Sequence, residues 1–397
     1  MKIVAFGVEY NSSNLGCQAL SYSFYTIVDN IASNNNIPVD MYIYLRGKKN
    51  VKNFIRNIIK PVKKPYGIYK MIHFYIKKYD ETDVKGNLFL KKELKNVDFV
   101  IDFTAGDSFS DIYGSERFFQ RSYVKKSIID MGIPFILGPQ TIGPFYENDV
   151  QLLAQQILKQ SKYVFARDDA SMKRAIQNEA NNLVRTTDVA FRLPYKQIDK
   201  SNDEIKKIGI NVSGLLYSGG YTGENQFNLK VNYIEYSETI ISQLLKLGYE
   251  VYLIPHVGIS TIKDSRDNDW NACLDLLKKY PKCIISPQFK NAMDAKSYIS
   301  SMDFFIGARM HSTIAATSTG VATIPFSYST KFDGLYTLNG YEYCINGMTM
   351  TTQEAIEKTL EYVENPEKIR EAVRIYLSRV NSLLSAFEKI LSDLICQ

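Results

Sequence analysis

Asp303-Phe304-Phe305-Ile306-Gly307-Ala308-Arg309-Met310-His311-Ser312-Thr313-Ile314-Ala315-Ala316 runs a short apolar strand directly into a helix, with an arginine and a histidine at the junction. Phe304 to Ile306 fit a buried parallel strand, and Ser312 or Thr313 can cap a helix whose apolar face carries Ile314 and Ala315. The turn lies at the strand's carboxyl end, where ligands bind in open α/β sheets. A helix N-terminus there presents free N–H groups and roughly half a positive charge. With Arg309 and His311 added, the site suits a phosphate or a carboxylate. The plainer reading, an arginine paired with a structural carboxylate and a half-buried histidine, is weakened by placement. The pair follows the strand without a loop, and His311 is one of only three histidines.

With 397 residues the chain exceeds one ordinary core, so two domains are expected. Apolar residues make up 45%, as in a globular protein, and no apolar run approaches the roughly 18 residues of a membrane span. The opening Met-Lys-Ile-Val-Ala-Phe-Gly-Val-Glu reads as a first strand rather than a signal peptide, which makes the cytosol the default compartment. Cys17, Cys273, Cys283, Cys344 and Cys396 are scattered without a Cys-x-x-Cys, so neither a disulfide framework nor a zinc site is expected. The net charge of +6 is concentrated, because Arg46 to Lys78 holds eleven basic residues and no acid. This argues for one local basic patch and against a protein-wide nucleic-acid surface.

Strands alternate with helices along the chain, as in parallel sheets with right-handed crossovers. Lys2 to Val8 is a strand, followed by the polar turn Asn11 to Gly16 and a helix carrying Ala19, Leu20, Phe24, Ile27 and Val28. Val39 to Leu45 reads as a strand near a sheet edge. The basic segment then places Phe54, Ile55, Ile58, Ile59 and Tyr69, Ile72, Tyr75, Ile76 at three- and four-residue spacing, which predicts two amphipathic basic helices suited to an anionic membrane surface. Val97 to Phe103 ends in Thr104-Ala105-Gly106-Asp107, with Asp107 and Asp111 as carboxylates at a strand end; the alternative is that both cap the next turn. Arg167 stands just after the strand Tyr163 to Ala166. The polar stretch Tyr195 to Lys207 marks a domain boundary. A second series follows, with a Gly-rich loop from Gly214 to Gly223 long enough to close over a ligand and a strand ending at His256. The last strand, Val321 to Pro325, leads to Lys331, which could reach a phosphate. From Thr351 the tail is helical, broken at Asn365-Pro366.

In order and spacing, Gly307-Ala308-Arg309-Met310-His311-Ser312, Phe165-Ala166-Arg167-Asp168, Gly138-Pro139-Gln140-Thr141-Ile142-Gly143-Pro144 and Asp102 to Asp111 resemble the polysaccharide pyruvyl transferase family. The resemblance implies an α/β architecture of two Rossmann-like domains facing across a cleft, GT-B-like, with a helical C-terminal tail. The expected divisions are 1–200 with a basic helical insert at about 46–92, 201–345, and 346–397. It implies phosphoenolpyruvate as co-substrate and a sugar diol, on a glycan or lipid-linked oligosaccharide, as acceptor. No cofactor and no metal are expected. Donor contacts would come from Arg167, Arg309, His311, Ser312, Lys331 and His256, and acceptor contacts from Asn14, Gly16, Asp107 and Asp111. His311, Arg309 and Asp107 are the catalytic candidates, and the basic residues of 46–78 would hold the enzyme on the inner face of an anionic membrane. The chain departs from the family pattern twice: Asn14-Leu15-Gly16 continues with Cys17-Gln18 rather than an acid, and Thr104-Ala105-Gly106 stands where the family has three glycines. A nucleotide-sugar glycosyltransferase on the same scaffold, or a non-catalytic glycan- or membrane-binding protein, would fit the fold as well.

Overall fold

The computed structural model describes residues 1–46, 69–79, 94–198, 206–258 and 265–397. The chain forms two compact units, one of Met1–Tyr10, Leu20–Val189 and Ser382–Gln397, the other of Asn11–Ala19 and Ala190–Asn381.

In the first unit seven parallel strands take the order β3-β2-β1-β4-β5-β6-β7. They are β1 (Lys2–Phe6), β2 (Val39–Arg46), β3 (Ile72–Tyr79), β4 (Phe99–Asp102), β5 (Phe135–Gln140), β6 (Tyr163–Ala166) and β7 (Leu183–Arg185). The strand order reverses between β1 and β4, which opens a crevice at their carboxyl ends. Apolar runs with no polar alternation, such as Phe-Val-Ile-Asp in β4, are buried on both faces as a covered parallel sheet requires.

The second unit repeats the plan with six strands in the order β10-β9-β8-β11-β12-β13. These are β8 (Lys207–Asn211), β9 (Glu250–Leu253), β10 (Ile284–Ile285), β11 (Phe304–Gly307), β12 (Ala322–Ser327) and β13 (Ile345–Asn346). Its crevice falls between β8 and β11. Ile208, Ile210, Phe304, Ile306 and Ile324 pack with Ile240, Ile241 and Leu244 of the helix Tyr233–Lys246. Each such side chain stabilises the unit by roughly 1.5–3 kcal/mol on burial.

Two expectations change. The second predicted basic helix is β3: Ile72, Phe74 and Ile76 also recur with period two, and the strand pairs along its full length with β2. The stacking of Tyr75 on Tyr42, 4.6 Å between centroids, belongs to that pairing. β2 accordingly lies near the sheet edge, as expected, one strand in from β3 at the edge itself. The first predicted basic helix, over Phe54 to Ile59, lies outside the described residues. Finally, the chain passes to the second unit at Ala190, ahead of the polar stretch at 195–207. Lys296, buried in the helix Ala292–Ile299, fixes that passage by donating to the Leu193 carbonyl at 2.8 Å. The break at Asn365-Pro366 separates helices Thr352–Glu364 and Pro366–Cys396. The end of the latter belongs to the first unit, where Phe387 packs edge-on to Phe165 at 4.8 Å and the Leu383 carbonyl accepts from Thr186.

Candidate functional site

In the second unit the strand-to-helix turn after β11 is built on Asn211 and Asp269, neither of them among the site residues expected from sequence. Asn211, at the end of β8, accepts from the Arg309 backbone N–H at 2.9 Å and from the Ser312 hydroxyl at 3.0 Å, and donates to the Ile254 carbonyl at 2.9 Å. One amide thus ties together the ends of β8, β9 and β11. Its sequence signal was a polar residue closing the apolar run Ile208-Gly209-Ile210. Asp269, fully buried at the start of the helix Asp269–Lys279, accepts from the backbone N–H groups of Gly214, His256 and Val257 and from the Arg309 guanidinium.

Arg309 itself is 8% exposed and paired twice, to Asp269 at 2.8 Å and to Asp267 at 2.5 Å. Burial opposes its charge, but the two carboxylates more than offset that and raise the guanidinium pKa, so it stays protonated. Asp267 also accepts from the Tyr221 hydroxyl at 3.2 Å, which tethers the Gly-rich loop to Arg309. Ser312 is fully buried and serves the turn.

His311 sits in the first turn of the helix Met310–Thr317, partly exposed. The stretch Asn11–Ala19 packs in this unit: Asn14 forms an antiparallel bridge with Val257, Gly258 donates to the Ser13 carbonyl, and Leu15 donates to the His256 carbonyl. Asn14 caps the helix Leu15–Asn35 by accepting from Gly16 N–H at 2.9 Å. Gly16 lies directly against His311, since a Cβ there would stand 2.4 Å from the imidazole Nδ1. Behind this pair lies His256, 3% exposed, with no hydrogen-bond partner for either ring nitrogen among the described residues. Burial, then the charge of His311, pushes its pKa down to about 3, so the ring is neutral at physiological pH. Lys331 is in the same unit, half-buried on the helix Thr330–Leu335 beyond β12.

Gln18, two residues after Gly16, has a fixed structural role. Its side-chain amide donates to the Ser12 carbonyl at 2.6 Å while its oxygen accepts from Ala292 N–H at 3.0 Å, a two-way bond that no carboxylate can make.

The other candidates belong to the first unit. Arg167 is buried and donates to fully buried Asp188 at 3.0 Å, and the backbone of Gly106 closes over its Nη1. Asp107 is half-buried and accepts from the Tyr113 hydroxyl at 2.9 Å. Asp111 is buried and receives the backbone N–H groups of Tyr146 and Glu147, a scaffold contact joining two loops. Of the four acceptor candidates, Asn14 and Gly16 lie in the second unit, as do His256, Arg309, His311 and Ser312, and Asp107 and Asp111 lie in the first.

Two Rossmann-like units, each with a crevice at its strand-order reversal, define a GT-B-type enzyme fold, and solved structures agree. A UDP-N-acetylglucosamine 2-epimerase homologue from Listeria monocytogenes superposes with a TM-score of 0.60 at 9% identity, covering 99% of this chain and 97% of that one. The UDP-GlcNAc 2-epimerase of Neisseria meningitidis gives 0.58 at 13% identity over 100% of both chains. The trehalose 6-phosphate synthase of Burkholderia multivorans gives 0.55 at 9%, covering 100% and 98%. At these identities the likeness concerns the fold alone. No curated protein matches the chain by sequence. The chain belongs to the polysaccharide pyruvyl transferase family, whose model matches residues 14–330.

Proposed function

We propose that this protein transfers the pyruvyl group of phosphoenolpyruvate onto two hydroxyls of an acceptor sugar, forming a cyclic pyruvate ketal. The observation that carries the reading is His311, held under Gly16 at a helix N-terminus beside a neutral buried His256, in a chain of this family. Phosphoenolpyruvate brings two anionic groups, and the helix N-terminus with a protonated His311 offers complementary charge. Arg309, already neutralised by two carboxylates, acts chiefly by fixing the turn that aims His311.

The reaction needs a proton at the methylene carbon, which becomes a methyl group and leaves an oxocarbenium-like centre at C2. A sugar hydroxyl forms a C–O bond there and releases its proton to a base. Cleavage of the C2–O bond to phosphate expels inorganic phosphate, and a second hydroxyl closes the ring as it loses its proton. His311 supplies the acid, to the methylene carbon or the departing phosphate, and Asp107 is the candidate base. The acceptor is a glycan or its lipid-linked precursor, the reaction is cytoplasmic, and the basic stretch 46–78 holds the enzyme at the inner membrane face. Among the described residues no helix is long and apolar enough to cross a membrane.

Mass spectrometry of candidate glycan acceptors incubated with enzyme and phosphoenolpyruvate tests this directly, the expected product carrying pyruvate less one water with stoichiometric phosphate release. Stabilisation by a nucleotide sugar but not by phosphoenolpyruvate in a thermal melt, with no ketal formed, would replace the reading with a glycosyltransferase.

A further inference from the structure

The helix Ser115–Asp130 of the first unit carries Arg117 in its first turn, on the wrong side of the helix dipole for a cation. Arg117 makes no ion pair among the described residues. Its guanidinium instead lies 4.7 Å from the centroid of the Tyr113 ring and donates to the Ser108 hydroxyl at 3.2 Å. The Tyr113 hydroxyl in turn donates to Asp107 at 2.9 Å. An arginine, a tyrosine and a carboxylate are therefore locked into one fixed arrangement, yet the Tyr113 residue remains 40% exposed.

The ground beneath it is rigid and strained. Thr104 and Ala105, where β4 leaves the sheet at the β1/β4 reversal, take φ of 44° and 53°, a left-handed conformation that side chains resist. Asp102 enforces it by accepting from the Thr104 N–H and hydroxyl, and is itself braced by buried Lys125 at 2.7 Å. Gly7 has no room for a side chain, because a Cβ would meet the Thr104 nitrogen at 2.2 Å. Further along, buried Asp111 binds Tyr146 and Glu147, which keeps a second aromatic, Tyr146 at 74% exposure, on the adjoining loop. Strain maintained this firmly at the carboxyl edge of a parallel sheet is expected where a ligand is positioned.

We propose that Tyr113, Arg117 and Asp107 form the acceptor-sugar subsite, with a pyranose laid on the tyrosine ring. The apolar C–H face of a sugar matches an aromatic surface, while hydroxyls at its edge donate to Asp107 and accept from Arg117. A rigid tyrosine costs little entropy to use in this way. The inference deepens the transferase reading by naming where the acceptor sits and places Asp107 at a sugar hydroxyl.

The test needs no phosphoenolpyruvate. Saturation-transfer NMR is run on the full-length protein with methyl pyranosides of glucose, galactose, mannose and N-acetylmannosamine as probes. At least one is expected to receive saturation, and Tyr113→Ala and Arg117→Ala to abolish it with the circular dichroism unchanged, while Tyr113→Trp retains it. If no probe is saturated by the wild type, or if both alanine variants bind as it does, the subsite is wrong. Under turnover the same alanine variants should raise the acceptor KM by about tenfold or more, worth about 1.4 kcal/mol, with the KM for phosphoenolpyruvate unmoved. Ketal formation with an unchanged acceptor KM in Tyr113→Ala would overturn the subsite and leave the transferase reading standing. Tyr113-dependent sugar binding without use of phosphoenolpyruvate would do the reverse.

Discussion

The Cα of Gly16 rests on the imidazole of His311, so close that a methyl group there would stand 2.4 Å from Nδ1. Gly16 is helical, where alanine is locally favourable, so Gly16→Ala should keep the fold and displace the ring. A displacement of the order of 1 Å at a catalytic group costs up to about 100-fold in rate. We expect kcat for pyruvyl transfer to fall by at least about tenfold, equivalent to about 1.4 kcal/mol, with the melting temperature nearly unchanged. Steady-state phosphate release and a thermal melt check this together; full activity in Gly16→Ala would detach His311 from the chemistry.

Gln18→Glu replaces the bridging amide by a carboxylate and should be harmful. The Ser12 carbonyl, 2.6 Å from the amide nitrogen, would then face a carboxylate oxygen with no proton between them. The expected cost is about 1–3 kcal/mol, read as a lower urea midpoint at pH 7.5. The deficit should shrink in acid, where a protonated carboxyl can donate again.

Asp269 and Asp267 both pair with Arg309 but differ in burial, the first being fully buried and the second 28% exposed at its side chain. Asp269→Ala strands a buried guanidinium and three backbone N–H groups, and should lose about 3–5 kcal/mol or fail to fold. Asp267→Asn should cost no more than about 1 kcal/mol. By leaving Arg309 less neutralised it should also tighten phosphoenolpyruvate binding. Equal destabilisation by the two substitutions would contradict the hub role given to Asp269.

His256 is held neutral, its pKa pushed down to about 3 by burial and by the charges of His311 and Arg309, against the pull of Asp269. Above an unfolded-state pKa of about 6.5 neither state binds this proton, and the histidine adds no pH dependence. Below it the unfolded chain takes up a proton that the folded chain refuses, so stability falls by up to about 1.4 kcal/mol per pH unit until pH approaches the folded value. His256→Gln cannot titrate and should flatten the acid limb between about pH 6.5 and 5 in urea denaturation series. Parallel limbs for wild type and variant would show that His256 takes up its proton alike in the folded and unfolded chain.

The turn after β11 could be read from sequence because local signals suffice there: an apolar run, a small residue, then a helix with cationic side chains at its start. What Arg309 does there was not legible. Its partners lie forty and forty-two residues away, and only the fold shows that Asp267 and Asp269 meet it. The same holds for Gly16, whose lack of a side chain looks like a turn preference until His311 is found against it. β3 was misread because Tyr69, Ile72, Tyr75 and Ile76 satisfy a helical spacing while Ile72, Phe74 and Ile76 satisfy a strand's, and pairing with β2 decided between them. Thr104 and Ala105 gave no hint of their left-handed backbone, since both residue types normally avoid it; the compensation lies in Asp102, Lys125 and Gly7, which the sequence scatters over 119 positions.

Residues 11–19 complete the unit that holds His311, and residues 382–397 complete the unit that begins the chain. During synthesis the wall of the histidine site therefore leaves the ribosome about three hundred residues before the histidine it must meet, and the first sheet lacks a helix until residues 382–397 have been added. A gene cut at the passage near Ala190 would separate both pieces from their proper unit, so two halves exchanged between relatives would have to carry residues 11–19 and 382–397 with the units they complete.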